Sequence, residues 1–232
     1  MRLSIALPLL LIGLAGFAPD ALAENATRII TLVRHGHYEA DPNADPKLGP
    51  ALSVLGIAQA RMVGGRLAGY KPHLDHVYVS PLTRAQDTAK VIVNDLGYGR
   101  LETLDALAEC TPPTRRTRVT AGMKPADLAA CAKQLDGLFA ERFVPSSNGE
   151  SRELMVCHGN VIRYLITKTL GVDTQAWLEM SVGHTSLTTV RIDSDGTLTL
   201  IGAGDVGHLP VHLRTGAAGD PDRQLSIPST AL

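Results

Sequence analysis

Arg28-Ile29-Ile30-Thr31-Leu32-Val33-Arg34-His35-Gly36-His37 is the stretch whose reading decides the fold. Arg28 to Val33 reads as a short buried strand, and the apolar run breaks abruptly into an arginine, a histidine and a glycine. Arg34 and His35 therefore fall at the carboxyl edge of a strand, where open α/β sheets bind ligands. Gly36 allows the backbone to turn sharply there. An arginine at that edge favours an anion, and an imidazole largely neutral near pH 7 is a nucleophile beside it. Alone, the tripeptide fits an ordinary strand-end turn equally well.

Working outward, the 232-residue chain has formal charges summing to −1, which suits one α/β domain. Near neutrality argues against a general nucleic-acid binder, because counterion release needs a concentrated basic face. Few aromatic residues are available as base-stacking platforms. At the amino terminus, Arg2, the apolar body Leu3 to Phe17 and the small-x-small Ala21-Leu22-Ala23 have the form of a cleavable signal peptide. Residues 1–23 are expected to be removed and the protein exported, periplasmic or secreted, with no membrane contact afterwards. An uncleaved anchor is the competing reading, but Pro8, Gly13, Gly16 and Pro19 interrupt a run already short of the ~20 apolar residues a bilayer needs.

Cys110, Cys131 and Cys157 remain after that cut. Export permits a disulfide, and Cys110 with Cys131 is the pair to consider because Cys157 falls inside a predicted central strand. A buried free thiol is the alternative. No cysteine or histidine spacing resembles a zinc cluster.

Tyr38 to Pro50 carries three prolines among Asp and Asn residues and reads as a surface loop, either a lid over a ligand at Arg34-His35 or a plain connection. Ser53 caps a predicted helix to about Ala68, in which Gly64 and Gly65 each cost roughly 1 kcal/mol unless tight packing against the sheet offsets them. His76 to Val79 is a second strand. Ser80 as cap and Pro81 at the first helical position start the next helix, which runs to Leu96 and puts Arg84 in its opening turn. Arg100 to Leu104 is a short edge strand. Glu109 then sits in apolar surroundings before Pro112-Pro113, where a carboxyl can retain a proton for donation, although a solvated loop glutamate looks the same. Arg115, Arg116 and Arg118 form either a rim for anions or solvated charges.

A helix over Pro125 to Phe143 precedes the second strongly apolar strand, Glu153 to Cys157, which also ends in histidine and glycine: His158-Gly159-Asn160. The helix after it starts beside His158 with free amide groups that add positive potential. Thr185 to Ile192, the Asp195-Gly196 turn and Thr197 to Ile201 read as a hairpin, and residues 216–232 as a disordered tail. One domain over residues 24–215 is expected.

Arg34-His35-Gly36, Ser80 with Arg84, Glu109 and His158-Gly159-Asn160, in this order, resemble the histidine phosphatase superfamily in its phosphoglycerate-mutase-like branch. The match covers most of the chain after residue 23. The run Val156 to Tyr164 and the closing Gly204-Asp205-Val206-Gly207-His208-Leu209-Pro210 are similar to the subgroup of the mitochondrial mutase-like protein acting on phosphorylated serine and threonine. The resemblance implies a three-layer α/β/α sandwich around a mostly parallel sheet with an antiparallel edge hairpin. It implies a phosphohistidine intermediate on His35, Glu109 as general acid and base, and Arg34, Arg84 and His158 as substrate ligands, with no metal or cofactor. Taken singly, His158 also fits a core histidine and Arg84 a partner of Asp87. His184 stands where the relatives tend to have asparagine, and His184, His37, His73 and His76 receive no role.

The expected function is an exported phosphomonoesterase acting on a phosphorylated small molecule or phosphopeptide. The alternatives are a phosphoglycerate mutase, whose usual Arg-His-Gly-Glu start is absent, and a non-catalytic phosphate-binding protein, which the presence of both His35 and Glu109 disfavours. The Arg-His-Gly-x-Arg-x-Pro start of the acid phosphatase branch is also absent.

Overall fold

The computed structural model describes residues 25–69 and 74–216. The expected signal peptide, His73 and the tail beyond Gly216 lie outside the described residues. The first strand, β1 (Arg28–Arg34), is followed by α1 (Val54–Gly69), β2 (His76–Val79), α2 (Thr83–Leu96) and β3 (Glu102–Thr103). Then come α3 (Pro125–Arg142), β4 (Ser151–Cys157), α4 (Gly159–Leu170) and the hairpin β5 (Leu187–Ile192) and β6 (Leu198–Asp205). The sheet order is β3-β2-β4-β1-β5-β6. Its first four strands are parallel, and β5 and β6 run antiparallel, as expected.

Both faces of the central strands are covered, which explains why they read as continuous apolar runs rather than alternating ones. Ile30, Leu32, Met155 and Cys157 pack beneath α3 and α4 with Leu135, Leu138 and Leu165. Val33, Leu154, Val156 and Val79 face α1 and α2 through Val63, Ala85, Ala89 and Ile92. Each large aliphatic side chain withdrawn from water here contributes about 1.5–3 kcal/mol.

The register sets the functional edge. Arg34 lies opposite Cys157, and Val79 opposite Val156. His35, Ser80 and His158 therefore emerge together at the carboxyl edge of β1, β2 and β4. Two further backbone bonds fix this, His35 N–H to the Cys157 carbonyl (2.9 Å) and Ser80 N–H to the Val156 carbonyl (3.0 Å).

Several local expectations change. Ser53 does cap α1, its Oγ accepting from Gly56 N–H at 3.1 Å. Ser80 does not cap α2: the helix starts at Thr83, so the residue before it is Leu82, which makes no side-chain cap, and the Ser80 hydroxyl instead accepts from Leu82 N–H at 3.3 Å and meets His158 at 2.7 Å. Gly64 faces α2, not the sheet, with Asp95 close by, and Gly65 faces open space. Thr185 is left out of β5 and takes a left-handed backbone with φ +53°, the one non-glycine residue among those described to do so. The Asp195-Gly196 turn forms as read, with Gly196 at φ +87° donating to the Asp193 carbonyl. Cys110 and Cys131 are joined in a disulfide, and Cys157 is free and buried. That disulfide ties the segment after Glu109 to α3.

Candidate active site

His35 is buried at the tip of β1, and its ring orientation follows from one hydrogen bond. Nδ1 lies 2.8 Å from the Gly36 carbonyl oxygen, which can only accept, so Nδ1 carries the hydrogen and Nε2 keeps its lone pair. Arg84 Nε donates to that Nε2 at 3.2 Å. Burial, with His158 and Arg34 nearby, pushes the His35 pKa well below the ordinary imidazole range, so the ring is neutral at physiological pH. The surrounding backbone holds it tightly. Gly36 N–H donates to Thr88 Oγ1 at 3.0 Å, and a Cβ on Gly36 would fall 2.6 Å from the Gly56 carbonyl oxygen. Gly36 thus serves close approach of α1 to the loop; its φ is not positive.

His158, fully buried, lies 5.0 Å from His35 between ring centroids. The Ser80 hydroxyl accepts from Leu82 N–H and sits 2.7 Å from His158 Nε2. The Ser80 hydroxyl has a hydrogen to give to Nε2, the arrangement in which His158 carries its own hydrogen on Nδ1, a buried atom with no hydrogen-bond partner. Burial, then Arg84 and Arg34, lower the His158 pKa to about 2, keeping that ring neutral too.

Three guanidinium groups supply the positive potential. Arg84, in the first turn of α2, also lies over the Tyr38 ring at 4.9 Å. The Gly49 turn of the 38–50 loop comes up against Arg84, so this loop does border the site. Arg34 gives Nη1 to the Val182 and Gly216 carbonyls (2.6 and 2.5 Å), leaving a buried Nε without a partner. Burial and Arg163 lower its pKa to about 10, so it stays charged at neutral pH. Arg163 packs near Arg34 over Gly159.

Glu109 faces this cationic group with one carboxyl oxygen 3.7 Å from His158 Nδ1 and the other buried without a partner. Burial raises its pKa to about 7, against the pull of Arg34, Arg84 and Arg163 and a backbone hydrogen bond from Asn160 in the first turn of α4. Its carboxyl thus exchanges a proton near neutrality, as a group that first gives and then takes one requires. The Asn160 side chain also donates to the Cys110 carbonyl at 3.0 Å, so one residue of α4 holds both the Glu109 carboxyl and the backbone after it.

All five residues read from the sequence, Arg34, His35, Arg84, Glu109 and His158, thus converge. Arg115 and Arg116 do not join them: Arg115 pairs with Asp173 and Arg116 with Glu179, both exposed. Asp87 pairs with Lys90, leaving Arg84 to the pocket. His37 rests on Ser53, and His76 stacks on Tyr78 away from the site. Sequence reading missed Arg163, Tyr38, the role of the Ser80 hydroxyl, and His184, whose ring lies 5.3 Å from His35. Arg163 and Tyr38 stand within a few residues of recognised motifs, which was the available signal. His35, Glu109 and His158 offer ligand atoms within 4.8 Å of one another, a spacing that can hold a cation. The three guanidinium groups around them favour an anion instead.

Comparison with known proteins agrees with this geometry. The family model "Histidine phosphatase superfamily (branch 1)" matches residues 30–115 and 128–202. The serine/threonine-protein phosphatase Pgam5, mitochondrial, of Caenorhabditis elegans is 34% identical over 190 residues, covering 80% of this chain and 65% of the relative. The protein of the same name from Xenopus laevis is 30% identical over 188 residues, covering 80% and 68%. The chain thus spans about two thirds of the length of these relatives. The crystal structure of phosphoglycerate mutase from Plasmodium falciparum superposes with a TM-score of 0.55 at 25% identity, covering 81% of this chain and 96% of that one.

The expectation of export is corrected by these names, since the matching relatives are mitochondrial proteins. The expectation rested on the composition of residues 1–23 alone, which lie outside the described residues. Motif order, sheet topology and a family match spanning most of the described residues lead to one assignment: the chain belongs to the histidine phosphatase superfamily, branch 1.

Proposed function

We propose that the chain is a metal-independent phosphomonoesterase working through a phosphohistidine on His35, within a single catalytic domain over residues 24–215. The observation that carries this reading is the tautomer of His35: the Gly36 carbonyl takes the Nδ1 hydrogen and leaves an Nε2 lone pair in the pocket, beside Arg84.

In the first step Nε2 attacks phosphorus in line, the P–O bond to the leaving alkoxide breaks, and protonated Glu109 delivers its proton to that oxygen. In the second, ionised Glu109 takes a proton from water as the water oxygen attacks phosphorus, the P–N bond breaks, and inorganic phosphate and neutral His35 are regenerated. Arg34, Arg84 and the Nδ1–H of His158 hold the equatorial oxygens, where charge accumulates in a loose transition state. Fixed cations stabilise that charge in place of a metal ion.

Phosphoserine and phosphothreonine peptides are the substrate class we put first, because the curated relatives are named serine/threonine-protein phosphatases. The test is a panel of phosphopeptides, sugar phosphates and phosphoglycerates, run with and without chelator. Turnover of phosphopeptides that chelator leaves unchanged supports the reading. Restoration of a chelated enzyme by added zinc or magnesium overturns the metal-free scheme, and turnover confined to phosphoglycerate isomerisation overturns the hydrolase.

A further inference from the structure

We propose that His184 donates a hydrogen bond from Nε2–H to the phosphoryl group carried by His35, and that Gln59 and Thr215 place the hydrogen on that nitrogen. The proposal rests on the reading of His35 as the phosphoryl acceptor.

The chain of hydrogen bonds runs from α1 to the pocket. His37 N–H donates to Gln59 Oε1 at 2.8 Å, which fixes the orientation of this fully buried amide. Gln59 Nε2 is then the donor to the Leu213 carbonyl at 2.7 Å and to Thr215 Oγ1 at 2.8 Å. Thr215 Oγ1 lies 2.8 Å from His184 Nδ1, and in this proposal it accepts from Gln59 and gives its own hydrogen to that nitrogen. A ring nitrogen that accepts carries no hydrogen, so the hydrogen of neutral His184 is on Nε2. That atom is buried and has no hydrogen-bond partner. Burial, with Arg34, holds the ring neutral by lowering its pKa to about 2, which keeps Nδ1 available as the acceptor.

Two features indicate that the ring is held where it is for a purpose other than packing. A buried donor left unpaired is unfavourable unless a ligand satisfies it, and His184 lies close enough to His35, 5.3 Å between rings, for one tetrahedral group to touch both. The backbone that presents it is strained: Thr185, a β-branched residue, adopts φ +53° and is kept there by its N–H on the Arg34 carbonyl at 3.0 Å. The carboxy-terminal segment then presses against the ring. His184 N–H donates to the Thr215 carbonyl, and a Cβ on Gly216 would fall 2.6 Å from His184 Nδ1. Residues 213–216 are in this sense part of the pocket wall.

The first test reads the wild-type chain directly by ¹H–¹⁵N correlation of the histidine ring nitrogens. The hydrogen of His184 should be on Nε2, and that resonance should move with inorganic phosphate at concentrations that inhibit turnover. A hydrogen on Nδ1, or a resonance that such phosphate leaves in place, overturns the proposal. The second test is kinetic. His184→Ala should slow phosphorylation of His35 by p-nitrophenyl phosphate about 10–100-fold, below the loss seen for an oxyanion donor in a fully closed site. His184→Asn, which retains an N–H donor, should recover most of the rate, and Thr215→Val should lower kcat and move the ring hydrogen. Unchanged phosphorylation in His184→Ala overturns the donor role. If His35→Ala is inactive while His184→Ala is fully active, this proposal alone fails; if His35→Ala turns over normally, the reading beneath it fails.

Discussion

His158 and His184 lie beside His35 at nearly equal ring distances, and each rests one nitrogen on a hydroxyl, that of Ser80 or of Thr215. Their supports differ in kind. His158 follows a buried strand, and its position is set by the hydrogen-bonded register of β4 with β1 and β2. His184 stands in an irregular turn before β5, held by a strained neighbour, a glutamine on α1 and a segment 31 residues further along the chain. Equivalent chemistry can therefore be built from a sheet edge or from a loop, but only the first leaves a motif in the sequence.

The largest effect that can break the comparison is loss of the shared centre. His35→Ala should reduce turnover of p-nitrophenyl phosphate by about 10⁴-fold or more, since no other group supplies the nucleophile. Steady-state rates check it. Arg84→Ala should lower kcat/KM about 10²–10³-fold, as removal of a preorganised charge beside the transferred group does.

Glu109→Gln should slow alkyl phosphates by about 10²-fold and p-nitrophenyl phosphate far less, because p-nitrophenolate leaves without a proton. The direction of the pH dependence follows from its raised pKa. Below about 7 the carboxyl is protonated and can donate, so kcat/KM for alkyl phosphates should fall as pH rises through about 7. That limb should be absent for p-nitrophenyl phosphate and in the variant; equal slowing of both substrate classes contradicts the donor role.

Ser80→Ala sharpens the comparison directly. It frees His158 to exchange tautomers and should cost about 10-fold in kcat with little change in KM, the counterpart on the strand side of Thr215→Val on the loop side. The smallest effect concerns the scaffold. A Cβ at Gly56 would clash with the His37 carbonyl, so Gly56→Ala should destabilise the fold by about 1–3 kcal/mol and lower Tm by several degrees. An unchanged Tm would show that α1 can move away from the His35 loop freely.

The legible part of the site consists of residues one step beyond an apolar strand or in the first turn of a helix. Arg34, His35, Arg84 and His158 are of this kind, and periodicity alone brings them to one edge. Glu109 is readable as a carboxyl before a proline pair, but its raised pKa comes from burial that outweighs the pull of Arg34, Arg84 and Arg163, a balance sequence spacing does not encode. Ser80 before Pro81 has the local form of a helix cap, but the helix starts only at Thr83, and the long-range bond to His158 is not encoded in that spacing. The sequence leaves the Cys110–Cys131 bridge open, since only three-dimensional proximity decides between a bond and two thiols.

What the sequence determined by itself was the main strands and helices, the order of the motif residues and the family they resemble, because hydrophobic period and motif order are local properties. Tertiary structure alone decided which nitrogen of His35 carries its hydrogen, that Arg115 and Arg116 pair with Asp173 and Glu179, and that residues 213–216 return to the pocket. These depend on partners far apart in the chain, whose encounter is fixed by packing and not by spacing.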